Sequence, residues 1–148
     1  MKTIVVSIDF SPVMADVLER AAELGKAFAA AVWVVHVAAP DPDFVGYDAG
    51  PSTVRDQVAH EMRDTHRRVQ DEADRLRARG IDATALQVQG PTVETILHEA
   101  ERLHADVIVL GSHGHGALHR ALLGSISEGV LHRATCPVLI VPSRPVAR

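Results

Sequence analysis

Short apolar segments alternate with longer amphipathic segments along the whole chain. The short segments are rich in valine and isoleucine and predict β-strands, whereas the longer ones repeat their apolar residues at helical spacing. Their alternation predicts an α/β fold: an open, five-stranded parallel sheet sandwiched by helices, Rossmann-like in its architecture. The predicted strands cover residues 2–8, 31–37, 82–88, 106–110 and 138–141, and the predicted helices cover about 12–28, 53–79, 92–103 and 125–134.

Residues with strong terminal preferences predict where the helices begin and end. Ser11 followed by Pro12 is typical of an N-cap and a first helical residue, and Thr92 is expected to cap the third helix. Gly80 is expected to end the second helix as a C-cap glycine. Phe28 continues the apolar stripe of the first helix, so it is predicted to lie in the core.

The second helix and the segment before it are unusual. The helix is highly charged outside a narrow apolar stripe, so we expect residues such as Arg67 and Arg68 to form a solvated face. The preceding loop, residues 38–52, is long for a strand-to-helix connection, which usually takes about two to six residues. A loop of this length is a candidate cover for a site.

Size and composition predict a single domain over residues 1–148 in the cytoplasm. The chain is 47% hydrophobic but only 3% aromatic, so its core must be built mainly from aliphatic residues. A net charge of −4 argues against nucleic-acid and anionic-membrane partners. No apolar run approaches the roughly 20 residues that span a bilayer, and Ser7 and Asp9 interrupt any signal-peptide pattern. The single cysteine, Cys136, is predicted to be an inert core thiol rather than a redox group.

The candidate chemistry is concentrated where the fourth strand ends. A glycine-rich loop, residues 111–124, follows that strand and leads into a helix that begins near Ser125. Glycines let the backbone approach an anion, and a helix N-terminus adds partial positive charge, so this arrangement favours phosphate. Asp9 follows the first strand, which we expect to be a central neighbour of the fourth. A carboxylate opposite a phosphate cradle suits a nucleotide; the alternative role for Asp9 is to cap the first helix with Ser11.

The spacing of the glycines is more specific than a glycine-rich loop alone. Gly111 and Gly114 are separated by two residues, and Gly124-Ser125 follows after nine more. This G-x2-G-x9-G-[S/T] pattern resembles the ATP-binding branch of the universal stress protein family. The resemblance extends along essentially the whole chain, through residues 4–11, 35–37, 90–91, 106–112, 127–128 and 136–142.

The resemblance implies both a nucleotide site and a homodimer. By analogy, Asp9 contacts the nucleoside, the backbone of Val37 meets the adenine, and the glycine loop with the following helix start holds the ribose and phosphates. Mg²⁺ or Mn²⁺ is expected to accompany the ATP. Family members pair the fifth strand, here 138–141, with its copy, and its short apolar run between prolines is itself typical of an edge strand. The residues assigned to the site are Asp9, Val37, Gly111, His113, Gly114, His115, Gly124, Ser125, Ile126 and Ser127.

The loop histidines allow more than one interpretation. A zinc site formed by His113, His115 and His119 of the loop, with His36 and His132 from the neighbouring strand and helix, is disfavoured because no cysteine or acid stands near the loop histidines. Contact with a phosphate by one of these histidines, or by Arg120, is the favoured alternative. The third interpretation is that these histidines are exposed to solvent beside a nucleotide and do not contact it.

The sequence favours a nucleotide-dependent regulator over an enzyme. The P-loop and dinucleotide-binding signatures are both absent. No general base stands near the loop, and Glu128 is expected to be structural, so we predict slow or no ATP hydrolysis. One alternative is an adenylyl-transferring or ATP-hydrolysing enzyme of the related adenine-nucleotide (alpha hydrolase-like) superfamily. Another is an interaction module that binds no nucleotide.

Overall fold

Five parallel strands and four helices alternate along the described part of the chain. The computed structural model describes residues 1–39, 52–113 and 123–143. The sheet has the strand order β3-β2-β1-β4-β5, which confirms the predicted α/β fold. The strands are β1 (Thr3–Ser7), β2 (Ala31–Ala38), β3 (Ala83–Gln89), β4 (Val107–Gly111) and β5 (Val138–Val141), and the helices are α1 (Met14–Phe28), α2 (Ser52–Ala78), α3 (Thr92–Arg102) and α4 (Ser125–Arg133).

The strand order reverses between β1 and β4. These two strands pair directly, with Ile4 opposite Val107 and Val6 opposite Val109, as their apolar character predicted. The more polar β3 lies at one edge of the sheet and β5 at the other, which confirms both edge predictions. Where the order reverses, successive connections leave on opposite faces and open a crevice at the carboxyl ends of the strands.

Each face of the sheet packs against two helices. Along β1, Ile4 and Val6 join one apolar cluster with residues of α1 and α2, whereas Val5 joins a second cluster with residues of α3 and α4. All three side chains are completely buried. Because burying one such aliphatic side chain contributes about 1.5–3 kcal/mol, these residues stabilise the centre of the sheet, where β1 ends beside the crevice.

The predicted core position of Phe28 is wrong. Its side chain is 52% exposed at the end of α1. The buried stripe of the helix ends instead at Gly25, where a Cβ would lie only 2.8 Å from Cγ2 of Val32. The chain then turns in a left-handed conformation at Ala29, and Ala30 takes the next buried position.

Two of the predicted helix caps are also wrong. The N-cap of α1 is Val13 rather than Ser11, because the chain makes a turn first, with the Met14 N–H donating to the Ser11 carbonyl at 3.0 Å. Thr92 is the first residue of α3 and not its cap. Gly80 adopts φ +81° after α2, as expected for a C-cap glycine.

Candidate functional site

A cavity of about 410 Å³ opens at the carboxyl ends of β1 and β4, where the strand order reverses. This volume lies within the range of about 300–1,000 Å³ typical of small-molecule sites. The starts of α1, α3 and α4 surround it. Its lining residues are Ser7, Ile8, Asp9, Val13, Met14, Val17, Val37, Thr92, Leu110, Gly111, His113, Gly124, Ser125, Ile126 and Ser127.

The structure brings most of the predicted site residues together around this one cavity. Gly114 and His115 lie outside the described residues, as do His119 and Arg120. All the other predicted positions line the cavity: Asp9, Val37, Gly111, His113, Gly124, Ser125, Ile126 and Ser127. They come from the ends of three strands and the start of one helix, so the sheet topology assembles them from distant parts of the sequence.

Asp9 lies at the cavity, and its alternative role as a cap of α1 together with Ser11 is wrong. Its side chain is exposed and lines the cavity, and its Oδ1 accepts a hydrogen bond from the Ser11 N–H at 3.0 Å. This bond shapes the turn after β1 rather than capping α1. Between the two residues, Phe10 adopts φ +58°, a left-handed conformation that is uncommon for a large side chain.

Gly111 is required by packing beneath the cavity. A Cβ at this position would lie 2.6 Å from Cγ1 of Val13, well inside van der Waals contact. Val13 is buried where the chain enters α1. The glycine therefore lets the start of α1 approach the end of β4 and form the apolar floor of the cavity.

The start of α4 is held by bonds to the end of β4. The Ser127 hydroxyl donates to the Gly111 carbonyl at 2.6 Å, and the Gly124 N–H donates to the Ser112 carbonyl at 2.8 Å. Because its hydroxyl proton is committed to Gly111, the Ser127 side chain positions α4. What Ser127 can offer to the cavity is its backbone N–H.

The first turn of α4 presents uncapped N–H groups to the cavity. Gly124 is the N-cap and provides no side chain, and the first intrahelical bond runs from the Glu128 N–H to the Gly124 carbonyl at 2.9 Å. The N–H groups of the three residues between them precede this bond and have no intrahelical acceptor. Three such donors at a helix N-terminus form an anion-binding site.

His113 lies at the edge of the same cavity. Its Nδ1 is 3.0 Å from the Ser112 hydroxyl, and its Nε2 is buried without a hydrogen-bond partner among the described residues. The side chain is therefore half-buried rather than fully exposed. Within the same ranges, no cluster of three or more histidine, cysteine, aspartate or glutamate side chains is placed to hold a metal ion.

Sequence analysis missed Thr92 and the apolar wall formed by Val13, Met14 and Val17. Thr92 reaches the cavity because the Gly90 N–H donates to the Ala38 carbonyl at 3.1 Å, which brings the start of α3 beside the end of β2. The position of Thr92 directly after Gly90-Pro91 was the sequence signal that could have assigned it to the site. The apolar wall is indistinguishable in the sequence from the core-facing stripe of α1.

Glu128 directly follows Ser127 in α4 but is not among the residues that line the cavity. Its carboxylate is exposed and lies 3.7 Å from Nε2 of His132, one helical turn further along α4.

Among the described residues, no helix has the length and apolar character needed to cross a membrane.

Comparison with known proteins relates the whole fold to one family. The family model described as "Universal stress protein family" matches residues 1–142. A universal stress protein of Thermus aquaticus is 35% identical over an alignment of 150 positions, which covers 95% of this chain and 98% of the relative.

Solved structures of the same family share the fold. A universal stress protein in complex with cAMP superposes with a TM-score of 0.71 at 24% identity, covering 97% of this chain and 98% of that one. One from Archaeoglobus fulgidus in complex with dAMP superposes with a TM-score of 0.64 at 20% identity, covering 95% and 97%. At these identities the likeness shows the fold alone.

Proposed function

The chain belongs to the universal stress protein family, and we propose that it is an ATP-binding member acting as a homodimeric, nucleotide-dependent stress-response regulator. The observation that carries this proposal is the convergence of Asp9 and the uncapped start of α4 on one cavity. An anion-binding helix end opposite a carboxylate is complementary to a phosphate joined to a sugar with free hydroxyls. The two family structures that hold cAMP and dAMP support an adenine nucleotide as the ligand class.

Each part of the cavity suits a different part of the nucleotide. The N–H groups after Gly124 would bind phosphate oxygens, and the Asp9 carboxylate would accept hydrogen bonds from ribose hydroxyls. Val37, at the end of β2, and the apolar residues Val13 and Met14 would contact the base. Mg²⁺ or Mn²⁺ would be held mainly by phosphate oxygens and water. Asp9 is the one carboxylate among the described residues that line the cavity.

The site favours binding over turnover. Rapid phosphoryl transfer needs positive charge concentrated on the γ-phosphate and a positioned water molecule. The described lining residues include neither lysine nor arginine, and they offer backbone N–H groups and His113 instead. ATP would therefore act as a ligand that stabilises one conformation or one assembly. The competing proposal, an adenylyl-transferring enzyme, predicts release of AMP and pyrophosphate.

The dimer is proposed from the free edge of β5. Leu139 is 37% exposed and Ile140 is half-buried on this strand, which has no neighbour on its outer side among the described residues. An apolar sheet edge is normally paired or covered. Ile140→Lys should give a monomer by light scattering, whereas Lys26→Ile, a charge change on α1, should leave the dimer intact. A dimer that persists in Ile140→Lys would contradict this interface.

The experiment that tests the proposed function identifies the ligand and its fate. The protein is purified without added nucleotide, any bound small molecule is released with acid, and the extract is separated by chromatography. Calorimetric titrations with ATP, ADP, AMP, cAMP and GTP, each with Mg²⁺, then rank the ligands. We expect ATP to bind and remain intact over hours. Steady release of AMP and pyrophosphate would favour the enzyme, and no binding of any adenine nucleotide would favour the interaction module.

A further inference from the structure

Three side chains from three different elements stack beside the turn that carries Asp9. The rings of Phe10 and His36 have centroids 5.0 Å apart at an interplanar angle of 54°, and Cζ of Arg68 lies 3.9 Å from the centroid of the Phe10 ring. His36 Nδ1 donates to the Ile8 carbonyl at 3.0 Å, which ties the stack to the end of β1. None of the three stacked side chains is among the residues that line the cavity.

The turn needs external support because its central residue is strained. Phe10 has φ +58°, in the left-handed region that side chains with a Cβ rarely adopt. Such a conformation persists only where the surroundings enforce it, and it is often found at functional sites. Two sets of contacts support this turn. Asp9 Oδ1 accepts a hydrogen bond from the Ser11 N–H, and the Phe10 ring contacts both His36 and Arg68.

We propose that Arg68 is a positioning residue for the Asp9 carboxylate, acting through a cation–π contact with Phe10. Arg68 was expected to belong to the solvated face of α2, and its side chain is indeed exposed. It nevertheless makes no ion pair among the described residues, and its guanidinium lies over an aromatic ring instead. That contact holds the Phe10 ring, the ring holds the strained backbone, and the backbone sets where Asp9 points.

The consequence for ligand binding rests on the proposed function. If Asp9 contacts the nucleotide, α2 and the ligand are coupled through Phe10. Because such coupling is reciprocal, bound nucleotide should also tighten the contact between Arg68 and the ring. A partner that engages α2 near Arg68 would then affect nucleotide affinity.

The test compares Arg68→Ala with Arg67→Ala. The two variants remove the same charge from neighbouring exposed positions of α2, but in the described part of the chain the Arg67 side chain makes no hydrogen bond, ion pair or ring contact. The first readout is the amide exchange rate of Ser11, whose N–H reports the bond to Asp9 without any ligand. The second is ATP affinity by calorimetry. We expect Arg68→Ala to speed exchange and weaken ATP binding, each by about two- to fivefold, and Arg67→Ala to change neither.

A double-mutant cycle shows whether Arg68 acts through Asp9. In the Asp9→Asn background, Arg68→Ala should cause no further loss of affinity. Unchanged Ser11 exchange in Arg68→Ala would overturn the inference, and so would faster exchange with full ATP affinity. If the wild-type protein binds no adenine nucleotide, the proposed function fails. The exchange measurement alone then decides whether Arg68 fixes the turn.

Discussion

Replacing Gly111 with alanine tests whether packing within the protein requires this glycine. The added Cβ would lie 2.6 Å from Cγ1 of Val13 and 3.5 Å from Cγ2 of Val17. Carbon atoms pack at about 3.5–4.0 Å, so Val13 must retreat by roughly 1 Å. Val13 is only 6% exposed and lies at the wall of the cavity, so either its side chain turns into the cavity or the start of α1 shifts. Overpacking of this kind costs about 1–3 kcal/mol, which for a chain of this length lowers the melting temperature by about 2–12 °C.

The matched variant is Val13→Ala, which removes the methyl group that clashes. By itself it lowers the free energy of unfolding by about 1–3 kcal/mol, because buried methyl groups are lost. Gly111→Ala added to it should cost little more, so the double-mutant cycle should give a coupling energy of about 1–3 kcal/mol. Urea unfolding followed by Trp33 fluorescence at constant protein concentration measures these values. If Gly111→Ala costs as much in the Val13→Ala background as in the wild type, the packing explanation is wrong.

Three further predictions concern individual hydrogen bonds and one thiol. Ser127→Ala leaves the Gly111 carbonyl without its donor, so the free energy of unfolding in urea should fall by about 1–3 kcal/mol; an unchanged midpoint would show that the bond contributes nothing. Two backbone N–H groups beside β1 lower the pKa of Asp106 below its usual 3.8. The resulting stability is present above that value and is lost as the pH falls through the lowered pKa. Asp106→Asn should therefore flatten the acid side of the melting-temperature profile, and two parallel profiles would refute this. Burial raises the pKa of the half-buried Cys136 thiol, so at pH 7 iodoacetamide should alkylate it more slowly than in the urea-unfolded chain; equal rates would be inconsistent with that shift.

Local patterns predicted the fold because they were consistent along the chain. The β-branched runs of β1 and β4 indicated central strands, and the polar alternation of β3 indicated an edge. Ligands in such sheets bind where the strand order reverses. Applied to the predicted order of strands and helices, this rule placed Asp9 and the start of α4 at the same site, and both line the cavity.

The features that the sequence did not reveal depend on contacts between distant segments. The approach of Val13 to Gly111 and the bond from Ser127 to the same residue exist only once α1 and α4 have packed on β4. Phe28 continued the apolar stripe of α1 in the sequence and was therefore predicted to be buried. The buried face of α1 ends at Gly25, so Phe28 lies beyond it and is exposed. The stack over Phe10 joins three elements, so no local pattern could indicate it.

The most direct test of the central claim places a carboxylate where the phosphate should bind. Gly124→Asp puts an anion at the N-cap of α4, where aspartate is a favourable residue. The fold should therefore keep its melting temperature. Gly80→Asp makes the same change at the end of α2, away from the cavity, in a left-handed conformation that aspartate tolerates. Calorimetric titration with Mg²⁺-ATP should show binding to the wild type and to Gly80→Asp, and none to Gly124→Asp. Equal ATP affinity in all three proteins would contradict a phosphate site at the start of α4.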